Sequence, residues 1–599
     1  MKNLNDYYEK KLREIESDSM QWSAYNASDN TVVVAGPGSG KTTVLTLKVM
    51  ELLENTIKEP RGLACLTYST EAAREFKERL KKLGLVKRKN VYLGTVHGFC
   101  LSEIITPFST LYPKYKIPDP IRIISESEKK RLFLQQNYYG EPSILDVDKE
   151  RTRNIKGISR VSIESYDDAL KAAIDFEEVL LENGYLDFIS MVKISVEMIM
   201  NEPYIRKILE AKYPWIIIDE YQDLGRPLHE IVLSLLNSTK IKIFAVGDAD
   251  QSIYDFQGAA PDYLIELSER EDVNCICLKN NYRSSQIIVD ASEYVLNSSR
   301  GYIASGKLRN YNANIEFYEC SGGKDDQYEQ VVKLINKYHD DGIHYHDIAI
   351  LTGNNSEISN LADVCSSNNI PVYISRQVFR VTDLIVWLQS CAKWVLDKSS
   401  VSFDEICATY RVFITSKQII DDNDFFAIKK LLHRTLKESV IFENDLEKWL
   451  KYINDSINFV DVFKSSNRYP DEIDNLKSLK SVLHKQQETL SIKFLSRLGM
   501  PENQVVLSTR HSSKGLEFDV VIMIGMEKDS FPSYYDNTQR KLDEARRLCF
   551  VAVSRARKAC VLIRSMRLPN KYGKWFNKEP SPFWTVLKEF QEKTFNKKR

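Results

Sequence analysis

Thr31-Val-Val-Val-Ala-Gly-Pro-Gly-Ser-Gly-Lys-Thr-Thr43 decides how the chain is read: a short β-branched run empties into a glycine-rich loop. The loop fits G-x-x-x-x-G-K-S/T, with Ala35 in place of the first glycine and Gly40, Lys41 and Thr42 completing it. Gly36, Gly38 and Gly40 permit positive φ, so that successive N–H groups, with Pro37, Ser39 and Thr43 in the same turn, can surround a phosphate at a helix N-terminus. Lys41 is placed for the β- and γ-phosphates of a nucleotide, and the Thr42 hydroxyl for Mg²⁺. A Gly-rich turn between strand and helix is the alternative.

Outward from this loop the chain alternates strand and helix. Upstream, Gln21 in Asp18-Ser-Met-Gln-Trp lies near enough to fold back over a nucleotide, where its amide can pair with adenine N6 and N7. Downstream, Leu63–Tyr68 reads as a buried strand followed by an amphipathic helix started by Ser69 or Thr70, and a third strand begins at Val91. Residues 101–185 lose this rhythm and read as a helical insertion. Leu186–Met200 reads as a helix returning to the core.

Tyr213-Pro-Trp-Ile-Ile-Ile-Asp-Glu is an apolar strand stopping on two carboxylates, with Asp219 suited to the Mg²⁺ touched by Thr42 and Glu220 to polarising a water. Ile241–Gly247 repeats the design and leads to Gln251, placed to sense a γ-phosphate, and to Tyr254 and Phe256, which can offer faces to bases. Together these features predict a parallel doubly wound sheet with function at the carboxyl ends of its strands.

Composition sets limits. At 599 residues the chain exceeds one core and predicts roughly three to five domains. Lys plus Arg and Asp plus Glu both number 83, so any nucleic-acid site must be a local groove. The ten cysteines are scattered, only Cys275 and Cys277 lying close, without zinc or iron–sulfur spacing. No leader-like segment or membrane-length apolar run is present, so a cytoplasmic protein is expected.

AGPGSGKT, LTYSTEAA, GTVHGF, DEYQD, VGDADQSIYDFQGA, LKNNYRSS, LSTRHSSKGLEFD and LDEARRLCFVAVSRA follow one another in an order that resembles the UvrD/Rep/PcrA family of superfamily 1 ATP-dependent DNA helicases. The resemblance implies an α/β fold of two RecA-like P-loop motor domains, each carrying a mainly helical insertion. The first motor would comprise 1–100 plus 186–280 with its insertion at 101–185. The second would comprise 281–392 plus 504–599, with strands at 347–351 and 370–374 and an abbreviated insertion at 393–503.

On the same resemblance Tyr282 stacks on adenine, Arg283 touches the γ-phosphate, Glu517 lies near the ribose and Arg555 is an arginine finger; Tyr68, His97, Tyr254, Phe256, Thr509 and His511 lie along DNA. Fixed guanidinium groups suit a γ-phosphate leaving with dispersed charge. Gln257, Gly353, Ala545 and Ser554 depart from the family pattern, which bears on coupling between DNA and the nucleotide cleft. No nuclease or C-terminal appendage is expected after the last motif.

ATP and Mg²⁺ are the expected cofactors, and single-stranded DNA and duplex junctions the expected partners, with a partner nuclease or repair protein and no membrane. The function implied is 3′ to 5′ movement on single-stranded DNA with duplex unwinding. The rival expectation is a DNA-sensing ATPase subunit of a Gabija-like anti-phage complex that controls a partner nuclease. A small-molecule P-loop enzyme accounts for the first loop only.

Overall fold

The computed structural model describes residues 2–67, 69–85, 90–153, 166–255, 259–375, 379–415, 420–464, 466, 468–485, 490–570 and 572–597. Tyr68, Phe256 and Gln257 lie outside them. The chain forms two compact units, one of residues 1–96, 202–376 and 501–599, the other of 97–201 and 377–500.

The first unit holds two six-stranded parallel sheets. Strands β1 (Thr31–Ala35), β2 (Leu63–Thr67), β3 (Tyr92–Thr95), β4 (Trp215–Ile218), β5 (Lys242–Gly247) and β6 (Asn274–Leu278) form one, in the order β3-β2-β4-β5-β1-β6. The P-loop strand is interior, Val33 opposite Val246 on one side and Ile276 on the other, which is why its sequence is a continuous apolar run. Two short parallel strands, β7 (Asn280–Asn281) and β8 (Ile303–Ala304), follow.

The second sheet is built from β9 (Asn314–Cys320), β10 (Ile348–Thr352), β11 (Val372–Ile374), β12 (Val505–Thr509), β13 (Phe518–Met523) and β14 (Ala556–Ser565), in the order β11-β12-β10-β13-β14-β9. Alternate residues of its strands enter two different cores. Ala349, Leu351, Val521 and Met523 join one; Ile348, Ile350, Val520 and Ile522 join the other. That period of two, buried on both faces, is the signature of a sheet between helical layers. A hairpin of β15 (Arg567–Pro569) and β16 (Trp575–Asn577) completes the strands.

Helix starts follow local chemistry. The Ser69 hydroxyl accepts from Ala72 N at 3.1 Å and caps the Thr70–Lys82 helix, with Glu71 in its first turn and Arg79, Lys81 and Lys82 in its last. The helix buries Phe76 and Leu80.

The second unit is helical and draws on both interrupting stretches. Trp387 stacks on Tyr410 with centroids 5.0 Å apart and donates its indole N–H to the Ile406 carbonyl. In the N-terminal part, the buried Arg151 guanidinium grips Asp187 at 2.6 and 2.7 Å, and Lys129 reaches the same carboxylate at 2.8 Å. Asp187 also accepts from Ser190 N at 2.8 Å, at the start of the Phe188–Asn201 helix. The helix expected over Leu186–Met200 therefore exists, but it belongs to this unit and not to the core of the first sheet. The two stretches meet where Ser127 donates to Asp474 at 2.9 Å and Glu126 N to Asp471 at 3.1 Å.

Candidate active site

The P-loop turns on Gly38 and Gly40, with φ of +70° and +82°, and delivers Lys41 to the first residue of the Lys41–Glu51 helix. Ser39 Oγ donates to the Gly36 carbonyl at 2.7 Å and closes the loop on itself. The Lys41 ammonium nitrogen is buried and has no hydrogen-bond partner among the described residues. Such a group is costly unless something anionic meets it, so an orphaned ammonium in a phosphate loop marks a place prepared for a ligand.

Asp219 and Glu220 stand at the carboxyl end of β4. Burial and then the adjacent Glu220 carboxylate push the Asp219 carboxyl above the usual carboxylate range. Burial also opposes ionisation of Glu220, but Lys41 and Lys514 outweigh it and hold that carboxyl below the usual carboxylate range. Glu220 adopts left-handed φ and ψ of 51° and 49°, an uncommon conformation for a residue with a side chain. This pair of half-buried carboxylates near Lys41 is chemically suited to a hard divalent cation, which takes oxygen ligands.

From β5, Gln251 donates to Asp248 at 2.5 Å. Its carbonyl side-chain oxygen accepts from Arg555 at 3.3 Å, so the expected phosphate sensor and the expected finger touch. Arg555 is 1% exposed and also donates to the Val551 and Leu516 carbonyls. Burial, then Arg283, pushes its guanidinium down to about 9, which leaves it charged at neutral pH. Arg283 donates to Glu517 at 2.7 Å and to the Ser554 carbonyl, and Arg557 holds the other Glu517 oxygen at 3.0 Å. Two residues expected to serve different parts of a nucleotide are thus ion-paired with one another.

The segment that opens the second half of the motor unit lies directly on the P-loop. Tyr282 N donates to the Gly38 carbonyl at 2.8 Å and Asn281 Nδ2 to the Pro37 carbonyl at 2.7 Å. Gln21, 4% exposed, donates to the Ser39 carbonyl at 2.7 Å. Gln21 and Tyr282 are therefore brought together on the loop at Gly38 and Ser39.

Several residues here escape sequence reasoning. Lys514 donates to both Asp223 oxygens at 2.8 and 2.6 Å and to the Gln251 carbonyl at 2.8 Å, bridging the loop after β12 to the ends of β4 and β5. Arg300 makes a bidentate pair with Asp250 at 2.7 and 2.8 Å. Tyr302 lies so close to Gly36 that a Cβ there would stand 2.5 Å from its ring. The final Asp of DEYQD and the lysine before Gly515 were visible signals; the Arg300 and Tyr302 contacts had none.

Of the residues expected along DNA, Thr509 is 8% exposed and its hydroxyl accepts from Ser512 N, while His511 begins the turn that carries Lys514. Tyr254 packs on the second-sheet core with the Lys514 ammonium 5.3 Å from its ring centre. His97 falls in the helical unit, edge-on to Phe188 at 5.3 Å, and burial pushes its imidazole down to about 4, so it is neutral at pH 7. The β15–β16 hairpin, unforeseen, exposes Tyr572, Trp575 and Phe576 beside Lys574, an aromatic and basic pairing suited to nucleobases and phosphates. No helix among the described residues is long and apolar enough to cross a membrane.

Residues 17–272 match the family model of the UvrD/REP helicase N-terminal domain, and residues 276–421 and 417–567 that of the UvrD-like helicase C-terminal domain. The chain is 26% identical to the ATP-dependent DNA helicase PcrA of Staphylococcus epidermidis, over 94% of this chain and 84% of that protein. It is likewise 26% identical to PcrA of Staphylococcus aureus, over 88% of this chain and 80% of the relative.

Proposed function

Because this chain belongs to the UvrD/REP helicase family, an ATP-hydrolysing one, we propose that it hydrolyses ATP between its two sheets to move 3′ to 5′ along single-stranded DNA and part duplexes at junctions. The observation carrying this reading is the buried Lys41 ammonium near Glu220, without a hydrogen-bond partner among the described residues and faced by Arg555 from the second half of the motor unit. Lys41 neutralises the β- and γ-phosphates. Glu220, held ionised, accepts a proton from the attacking water. Arg555 and Arg283 balance charge on the departing phosphoryl group. Thr42 and Asp219 would hold Mg²⁺, which supplies Lewis-acid neutralisation of phosphate oxygens when bound.

Motion follows from the placement of these groups. Lys41 and Glu220 belong to the first sheet, whereas Arg555 and Lys514 belong to the second, so a γ-phosphate present or lost changes what holds the halves together. Tyr254, Thr509 and His511 lie on the loops that carry Gln251 and Lys514, which gives bound DNA a route to the cleft. A partner nuclease or repair protein would engage the helical unit, which holds none of the nucleotide-binding residues. The DNA-sensing subunit reading uses the same residues and draws no support of its own.

Two variants test the cleft. Lys41→Ala abolishes ATPase, and Glu220→Gln keeps ATP binding while turnover falls by at least ~10². Normal turnover in either purified variant removes the assignment.

A further inference from the structure

Asp18 sits where the two halves of the base end of this site meet. It is 5% exposed and caps the Ser19–Asn26 helix, its Oδ1 accepting from Met20 N at 2.9 Å and Gln21 N at 3.2 Å. Its other oxygen accepts from the Tyr282 hydroxyl at 2.7 Å and from Asn280 Nδ2 at 2.9 Å. One carboxylate therefore holds the helix that carries Gln21 and the far end of the ring of Tyr282. Burial disfavours its charge, yet the Asn280 and Tyr282 donors more than offset this and keep the carboxyl below its ordinary range.

The surroundings make the arrangement specific. Asn280 is itself held by Ser305, which donates to its Oδ1 at 3.0 Å. The backbone of Tyr282 is pinned to Gly38, but the residue is 39% exposed, so the 2.7 Å bond to Asp18, with Asn280 beside it, fixes the hydroxyl end of an otherwise open face. We propose that Asp18 is a positioning residue for the nucleobase: it sets the spacing and angle between the Gln21 amide and the Tyr282 ring, and so makes the site bind an adenine nucleotide better than a bare triphosphate. The proposal rests on the ATP reading of the cleft given above.

Capping and positioning can be separated because they use different oxygens. Serine caps a helix nearly as well as aspartate but has a single oxygen, so Asp18→Ser keeps the Met20 and Gln21 contacts and loses those to Tyr282 and Asn280. Tyr282→Phe removes the same bond from the other side, keeps the ring, and decides the question alone should Asp18→Ser fail to fold. The measurement is steady-state ATPase, with inorganic tripolyphosphate as a competitive inhibitor and Lys41→Ala as the control.

Each variant is expected to raise KM for ATP about tenfold or more, the loss of a charge-assisted hydrogen bond, with the tripolyphosphate inhibition constant unchanged. The Asp18→Ser/Tyr282→Phe pair should be no worse than the singles. An unchanged KM, or equal weakening of ATP and tripolyphosphate, overturns the role of Asp18 while an inactive Lys41→Ala leaves the cleft assignment standing. A fully active Lys41→Ala overturns the cleft assignment itself.

Discussion

Replacing Lys514 with methionine keeps the aliphatic stem and removes the ammonium that joins Asp223, the Gln251 carbonyl and the neighbourhood of Glu220. The cation is 10% exposed and the Asp223 carboxylate 4%, so water screens the pair weakly. Stripping one partner from a buried pair costs about 3–5 kcal/mol when the remaining charge has no escape. Asp223 has one. Burial pushes its carboxyl up to about 6 even with Lys514 present, so protonating it at pH 7 costs about 1.4 kcal/mol at most, one pH unit's worth.

The fold should therefore lose no more than about 1.5 kcal/mol on denaturant unfolding, while the bridge between β4, β5 and the second sheet is gone. DNA-stimulated turnover should fall by about 10- to 100-fold, the effect of one charge-assisted contact made across the moving halves. Basal ATPase and single-stranded-DNA-stimulated ATPase are measured with urea unfolding of the same preparations. Unchanged stimulation in a folded Lys514→Met protein refutes the bridging role, and a loss of 4 kcal/mol or more in stability refutes the claim that Asp223 takes up a proton.

Gly36→Ala places a Cβ against the rigid Tyr302 ring, not against strained backbone, so it should destabilise by about 1–3 kcal/mol alone and by much less in a Tyr302→Ala background; thermal unfolding of the four proteins checks this, and additive losses contradict it. His97 has its folded pKa depressed from 6.5 to about 4, so between those values the unfolded chain binds more protons and stability is lost as pH falls through the window. His97→Gln should flatten that part of the stability profile, and an identical slope in the variant sinks the prediction.

What was legible in the chain was what is local. A glycine loop after β-branched residues, and carboxylates at the end of an apolar strand, carry their chemistry within a few residues, and the loop does follow β1 and the carboxylates β4. Leu186–Met200 shows the limit: periodicity says a helix is buried but not in which core, and the Arg151–Asp187 pair that anchors it is formed by residues 36 apart. β6 was missed because an edge strand with exposed alternate residues, NCICL, lacks the apolar run of its neighbours. β9, NIEFYEC, is likewise an edge strand without a continuous apolar run, whereas β14 is an apolar interior strand hidden by following closely on an arginine-bearing helix. Lys514 and Asp18 were readable as residue types only; their partners lie 291 and 264 positions away.

The central claim is that hydrolysis in this cleft drives directed movement on DNA. Strand displacement is measured on one duplex carrying a single-stranded tail at either the 3′ or the 5′ end, with ATPase followed in parallel. The account predicts ATPase raised severalfold by single-stranded DNA, displacement from the 3′-tailed substrate alone, and loss of displacement in Glu220→Gln. ATPase indifferent to DNA, or displacement from the 5′-tailed substrate, would contradict it.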